Sequence, residues 1–252
     1  MHKTLDINCD LGEGAGNDKA IMSYISSGNI ACGFHAGDPV LMAETVRLAL
    51  AHNVAIGAHP GFPDKPGFGR REMSIPLTDI RQQLLYQVGA LIAIARGEGG
   101  KLHHVKPHGA LYNMAARDPA MALTIARAIA DLDADLVLVG LAGSELVRAG
   151  SILGLRVAHE IFADRTYQSN GLLTPRDQPD ALINNEEQAL AQIHEMVVHR
   201  RIKTTGGDTV PVQADTLCLH GDGAHALSFA RATHEFLTRH HVKIQPLFIS
   251  KR

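Results

Sequence analysis

Four short apolar runs of this 252-residue chain finish alike, in a histidine with a glycine one or two residues on: His35-Ala36-Gly37, His59-Pro60-Gly61, His108-Gly109 and His220-Gly221. An imidazole trades a proton near neutral pH or offers a lone pair to a metal. A single one at a turn is explained blandly, as a hydrogen-bonded surface histidine. Four in equivalent places are hard to explain by packing, the more so with Asp10, Lys106 and Asp222 beside them. Together they supply acids, bases and a cation in one place, and the cluster reads as a functional site. The glycines let the backbone turn sharply and let a ligand approach closely.

These residues share one side of their strands. In a strand, side chains alternate between two faces. Asp6, Asn8 and Asp10 share the face opposite Leu5, Ile7 and Cys9. The same inward parity gives Ala31, Gly33 and His35, then Ala55, Gly57 and His59. It also gives His104, Lys106 and His108, and finally Cys218, His220 and Asp222. Polar groups on an inner face are costly to bury without partners. Function in parallel α/β folds is built at the carboxyl ends of strands.

The elements that carry them alternate. Strands are expected over 4–9, 29–34, 54–58, 102–107, 136–141, 155–161, 216–219 and 242–248. Helices fall between them. Asp38-Pro39 and Asp118-Pro119 are N-caps with proline in the first turn, starting helices over 40–51 and 120–132. Thr78 can cap a helix over 79–96 that Gly97 ends, and late helices occupy 186–200 and 223–240. Strand, helix, strand in repetition means a parallel sheet with right-handed crossovers. No linker divides the chain, so residues 1–252 read as one α/β barrel domain, a size usual for that fold. The irregular stretch 163–181 is long and charged enough to be a lid.

Composition narrows the function. Apolar residues make up 45 % of the chain, enough for a large core. The net charge of −2, without a basic tract, gives no support for nucleic acid or an anionic membrane as partner. No apolar run approaches the roughly 20 residues needed to span a bilayer. The start lacks a secretory pattern, and three scattered cysteines suit a reducing compartment, so a cytoplasmic protein is expected. Cys9, Cys32 and Cys218 read as small buried apolar residues. Arg70 and Arg71 could be an anion clamp or a surface turn. Asp164 and Arg165 could brace the long loop or, with Arg176, reach a ligand. Glu13 sits in a stretch that resembles a phosphate loop only faintly, and no GxxxxGK[ST] or GxGxxG motif occurs.

The motifs Asp6-Ile-Asn-Cys-Asp-Leu-Gly-Glu13, Ile30-Ala-Cys-Gly-Phe-His-Ala-Gly-Asp38 and Ile56-Gly-Ala-His-Pro-Gly61 resemble the LamB/YcsF family. So do Gly67-Phe-Gly-Arg-Arg71, Val105-Lys-Pro-His-Gly-Ala-Leu-Tyr112, Phe162-Ala-Asp-Arg-Thr-Tyr167 and Leu217-Cys-Leu-His-Gly-Asp222. The resemblance implies a distorted TIM-like barrel related to glycoside hydrolases and polysaccharide deacetylases. It implies the A subunit of a three-component, ATP-dependent 5-oxoprolinase, which opens 5-oxoproline to glutamate. Subunits B and C are then the partners, and ATP is a cofactor that those partners could hold.

On that reading Asp10, His35, His59, Lys106, His108, His220 and Asp222 are the catalytic candidates. Asn8, Glu13, Arg70, Arg71, Asp164, Arg165 and Arg176 are the substrate-binding ones. Asp10, His59 and His108 could instead hold a divalent metal, a donor set suited to zinc or another first-row ion. Two rivals stay open: a metal-dependent deacetylase or amidohydrolase acting alone, and a non-catalytic substrate-binding component.

Overall fold

The computed structural model describes residues 4–219 and 226–248. Strands β1 (Thr4–Leu11), β2 (Ser27–Ala31), β3 (Ala55–His59), β4 (Leu102–Val105), β5 (Val137–Leu141), β6 (Arg156–Phe162) and β9 (Thr216–Leu219) pair in parallel, in that order. β9 pairs back onto β1 through Asp6↔Thr216 to Cys9↔Leu219, which closes a seven-stranded barrel. β10 (Lys243–Ile244) adds two residues beside the start of β1, outside the ring. β7 (Arg201–Lys203) and β8 (Thr209–Pro211) form a separate antiparallel hairpin.

Helices α1 (Asp18–Ile21), α2 (Pro39–Ala51), α3 (Leu77–Gly97), α4 (Gly109–Arg117), α5 (Pro119–Leu132), α6 (Glu145–Ile152), α7 (Glu186–Val197) and α8 (Ala226–Arg239) lie outside the strands. The outward strand residues Ile7, Cys9, Leu11, Ile30, Ile56, Ala58 and Val105 are buried with Val46, Leu84, Val88, Leu91 and Ile125 of the helices. Burying each of the Ile, Leu and Val side chains contributes about 1.5–3 kcal/mol. The core therefore sits between strands and helices and leaves the barrel interior to other residues.

The two aspartate–proline starts behave as expected: Asp38 accepts from the Val40 and Leu41 amides, and Asp118 from those of Ala120 and Met121. Thr78 caps nothing; α3 begins one residue earlier, and its N-cap position is Pro76. The second strand stops at Ala31, four residues short of His35, because Gly33 takes φ +89° and turns the chain. Parity alone therefore does not place His35.

The stretch 163–181 is folded back on itself through isolated bridges, Arg165↔Leu182 and Tyr167↔Leu173. Gln192 of α7 braces its start, its side-chain amide donating to the carbonyls of Phe162, Ala163 and Arg165 at 2.9, 3.2 and 2.8 Å. Among the described residues no helix is long and apolar enough to cross a membrane.

Gly57 shows how tightly the interior is filled. A Cβ there would overlap the His104 ring, whose Nε2–H donates to the Asn29 side-chain carbonyl at 2.8 Å. Gly57→Ala is expected to displace that ring and cost roughly 2–4 kcal/mol, from overpacking and a stranded buried amide. Chemical denaturation of the two chains measures it; an unchanged midpoint would mean that the interior has slack.

Candidate active site

The alternation of the strands sends Asp6, Asn8 and Asp10 of β1 into the barrel with Asn29 of β2, His104 and Lys106 at β4, Glu160 of β6 and Thr216 of β9. All are buried. They form one connected network. At its lower end the Asp6 carboxylate accepts from Ser26 (2.6 Å), Ser27 (2.7 Å) and Thr216 (2.6 Å). Burial nevertheless dominates and pushes the Asp6 carboxyl up to about 6. Asn8 donates to Thr216 and Glu160, and Asn29 donates to Asn8 and Asp10.

Lys106 stands at the centre. Its ammonium meets Asp10 Oδ1 and Glu160 Oε1 at 2.9 Å each, Asn8 Oδ1 at 3.2 Å and Cys218 Sγ at 2.9 Å. Burial alone would drive the proton off it, and the adjacent Asp10 and Glu160 carboxylates outweigh that, holding its pKa well above the ordinary lysine value. Burial likewise pushes the Cys218 thiol up, so the sulfur beside Lys106 stays protonated.

Above this lies a group of imidazoles. His59 Nδ1 is 2.7 Å from the Lys106 carbonyl, and His108 Nε2 is 2.8 Å from that of Phe68. A carbonyl only accepts, so both of those ring nitrogens carry hydrogen. The remaining nitrogens, His59 Nε2 and His108 Nδ1, face each other at 2.9 Å. Asp10 Oδ2 is 3.3 Å from His59 Nε2, and Glu13 Oε1 is 3.6 Å from His108 Nδ1. His35 stacks flat on His108, ring centroids 3.7 Å apart at 3°, and its Nε2 meets Glu13 Oε1 at 3.2 Å. Burial, reinforced by the crowding of neighbouring imidazoles, lowers the His35 imidazole to about 2 and His108 well below the usual histidine range. Gly69, at φ +62°, is required here, since a Cβ would press on both rings.

A cavity of about 40 Å3 opens at the carboxyl ends of the strands. Asp10, Glu13, His59, Lys106 and His108 form its floor and wall, and Arg70, Arg165 and Arg176 its rim, with Tyr112 and Phe162 beside them. Arg165 comes from the folded-back stretch, where it also donates to the Thr174 carbonyl at 2.6 Å. Burial and neighbouring Arg176 bring its pKa down to about 10, which leaves it charged at neutral pH.

Several expected residues stand elsewhere. Asn8 lies beneath the cavity and bonds to its floor. His35 is behind His108 and does not line the cavity. Arg71 turns outward, its side chain 68 % exposed and paired with Asp64. It is therefore part of a surface turn, while Arg70 next to it reaches the rim. Asp164 does not line the cavity. His220 and Asp222 lie outside the described residues. Glu160 and Asn29 carry no motif of their own; a carboxylate mid-strand in β6, two residues from Phe162 on the same face, is the only sequence signal of Glu160.

The fold and this site together define a parallel α/β barrel with a buried ammonium–carboxylate–imidazole centre at its carboxyl-terminal mouth. The chain belongs to the LamB/YcsF family, whose profile matches residues 5–251. It is 58 % identical over 241 residues to a Brevibacillus brevis protein named as the A subunit of 5-oxoprolinase, covering 94 % of this chain and 95 % of that one. A Tolumonas auensis protein of the same name is 54 % identical over 248 residues, covering 96 % and 99 %. The crystal structure of a lactam utilization protein from Thermus thermophilus superposes with a TM-score of 0.89 at 45 % identity, covering 96 % of this chain and 99 % of that one. A family 4 carbohydrate esterase from Streptomyces lividans, at 10 % identity and TM-score 0.50, shares the barrel fold, covering 96 % and 91 %.

The buried ion cluster makes a stability prediction. Lys106→Met leaves Asp10 and Glu160 without their shared cation and is expected to lower unfolding stability by about 3–5 kcal/mol. Adding Glu160→Gln should restore part of that loss, because one buried charge is gone. Equal stabilities for the parent and the Lys106→Met chain in denaturant titrations would show that the cluster carries no such interaction.

Proposed function

We propose that this chain acts as the A subunit of an ATP-dependent 5-oxoprolinase, opening the lactam ring of 5-oxo-L-proline to L-glutamate with partner subunits B and C. The observation that carries this reading is the 58 % identity, over nearly the whole of both chains, to a protein of that name. The site fits the chemistry. Opening the ring needs a base for the attacking water, an acid for the departing nitrogen and positive charge beside the carbonyl oxygen.

Asp10 and the His59–His108 pair are the proton-handling groups. Lys106, fixed below them, supplies a positive field at the cavity floor. Arg165, Arg70 and Arg176 at the rim suit the substrate carboxylate or a phosphoryl group, which guanidinium binds through paired hydrogen bonds. His35 and Asn8 hold these groups in place. His220 and Asp222, outside the described residues, belong to the proposed set on sequence grounds alone.

Opening an unstrained, resonance-stabilised lactam calls for an outside energy source. The sequence has no phosphate-binding loop, so we assign ATP to the partners. The cavity also points to them. At about 40 Å3 it has room for very few water molecules, and a lactam ring with its carboxylate needs more. Arg165, Leu173 and Arg176 of the folded-back stretch line the rim, so a shift of that stretch would widen the way in for substrate. A cytoplasmic location follows from dependence on ATP.

Glutamate and ADP release, measured on the chain alone and then with subunits B and C, tests the proposal. The chain alone should release neither, and the assembled complex both. Asp10→Asn in the assembled complex should lower glutamate release by about 100-fold or more, in the range seen for loss of a general acid or base. Full turnover by B and C without this chain would overturn the reading. Turnover by the pure chain would overturn its partner dependence.

A further inference from the structure

Two imidazole nitrogens that face each other at 2.9 Å pose a problem when neither carries hydrogen. His59 and His108 have each committed their N–H to a backbone carbonyl, at 2.7 and 2.8 Å, so the facing positions are both lone pairs. Two lone pairs at hydrogen-bond distance repel unless a positive charge lies between or beside them. Two carboxylate oxygens turn towards the same point, Asp10 Oδ2 from the His59 side and Glu13 Oε1 from the His108 side.

From this convergence, we infer that His59 Nε2, His108 Nδ1, Asp10 and Glu13 bind one divalent first-row metal ion at the mouth of the barrel. The edges measured between these atoms, 2.9 Å (His59–His108), 3.3 Å (His59–Asp10) and 3.6 Å (His108–Glu13), suit a single ion. Two ligand bonds of about 2.0–2.2 Å span such edges at angles from about 90° to about 120°. Mixed imidazole and carboxylate donors select zinc, manganese, iron or cobalt rather than calcium. Each metal-facing imidazole has its opposite nitrogen anchored on a carbonyl, the arrangement that fixes a ligand ring's tautomer and orientation.

His35 belongs to the same cluster by distance, since one donor atom of each of Glu13, His35, His59 and His108 lies within 4.8 Å of the others. Its ring plane excludes it as a ligand. Imidazole donates in its own plane, and His35 is parallel to His108 at 3.7 Å, so no single point lies in both planes. His59, by contrast, is nearly perpendicular to His108, at 87°. His35 is therefore a positioning residue: its Nε2–H holds Glu13 Oε1 at 3.2 Å. That assignment separates Glu13 from His35 in their effects on the ion.

With the ion bound, Asp10, His59 and His108 would act on water through it rather than as free acids and bases, and the test reads binding directly, apart from the lactam assignment. The full chain, stripped with a chelator, is titrated with Zn2+, Mn2+ and Co2+ by calorimetry, and Co2+ is also followed by its visible absorption. One equivalent per chain is expected, with a visible cobalt band. His108→Ala and Asp10→Asn should each weaken binding about 100-fold or more. His35→Leu should weaken it about 10- to 100-fold, as loss of a residue that orients a ligand does. His35→Gln, which keeps a donor towards Glu13, should weaken it less than His35→Leu.

Thermal unfolding of each apo variant separates lost binding from lost folding, and Glu13→Gln provides a second ligand variant should the barrel-floor change misfold. Three outcomes would overturn the inference. One is no stoichiometric binding, with a charged imidazole signal from His59 or His108 in nitrogen-15 spectra, meaning that a proton bridges them. Another is binding lost on His199→Ala but not His108→Ala, meaning that the outer His194, Glu195 and His199 group holds the ion. A third is equal loss from both His35 variants and His108→Ala, which would make His35 a ligand.

Discussion

A lysine ammonium inside a barrel is stable only if charge and hydrogen bonds replace the water it has lost, and Lys106 is the constraint around which this interior is arranged. Its side chain is 3 % exposed and lies 2.9 Å from carboxylates on two other strands, Asp10 on β1 and Glu160 on β6. Those carboxylates in turn need donors, which Asn29 and Asn8 provide. The asparagines need acceptors and donors of their own, and the chain of demands ends only at His104, Thr216 and the Asp6 carboxyl with its hydroxyls. Removing any one member leaves a buried group unsatisfied at a cost of about 1–3 kcal/mol, more for a charge. A barrel interior of this kind specifies its own register: a one-residue slip of β1 would point Ile7 and Cys9 at Lys106.

Much of this was legible because strand alternation is a rigid rule. Asp6, Asn8 and Asp10 could be assigned inward from their spacing alone, and the histidine endings located the carboxyl-terminal mouth. The two Asp-Pro helix starts were readable because their mechanism is local. What could not be read depended on contacts across the barrel. Glu160 is an ordinary strand residue until Lys106 is known to lie opposite it. Cys218 reads as a small apolar residue and does pack like one, yet its sulfur touches the ammonium. Strand parity ends at Ala31 and cannot place His35, which joins the cluster through a turn, by stacking. Arg70 and Arg71 are adjacent and chemically alike, and only the position of Asp64 decides which of them is tied into the surface turn.

The cavity inherits its character from what lies under it. Along the barrel axis the network runs from the hydroxyl-caged Asp6, through the Lys106 cluster, to the imidazoles and Glu13, and then to the arginine rim. Hydrogen bonds in a low-dielectric interior polarise one another, so the charge on the floor is felt at the mouth. Asp10 is the joint. One of its oxygens faces Lys106 and Asn29, the other faces His59. A change of charge above Asp10 is therefore opposed or assisted by the lysine below it.

That joint explains why His59 and His108 can be held so close. Lone pairs at 2.9 Å would push apart on flexible surface loops, where a ring rotates at little cost. Here neither ring is free to turn. His59 is pinned to a carbonyl at the end of β4, and His108 to a carbonyl in the turn that Gly69 makes possible, with His35 stacked on its other face. Rotation of either ring would break a buried hydrogen bond, and rotation of His108 would also break the stacking. The scaffold thus holds two donor atoms in a geometry that becomes favourable once positive charge is shared between them. Such preorganisation places the cost of bringing the groups together in folding, where the packed core and the Lys106 network offset it, and leaves binding and chemistry at the mouth with less to reorganise.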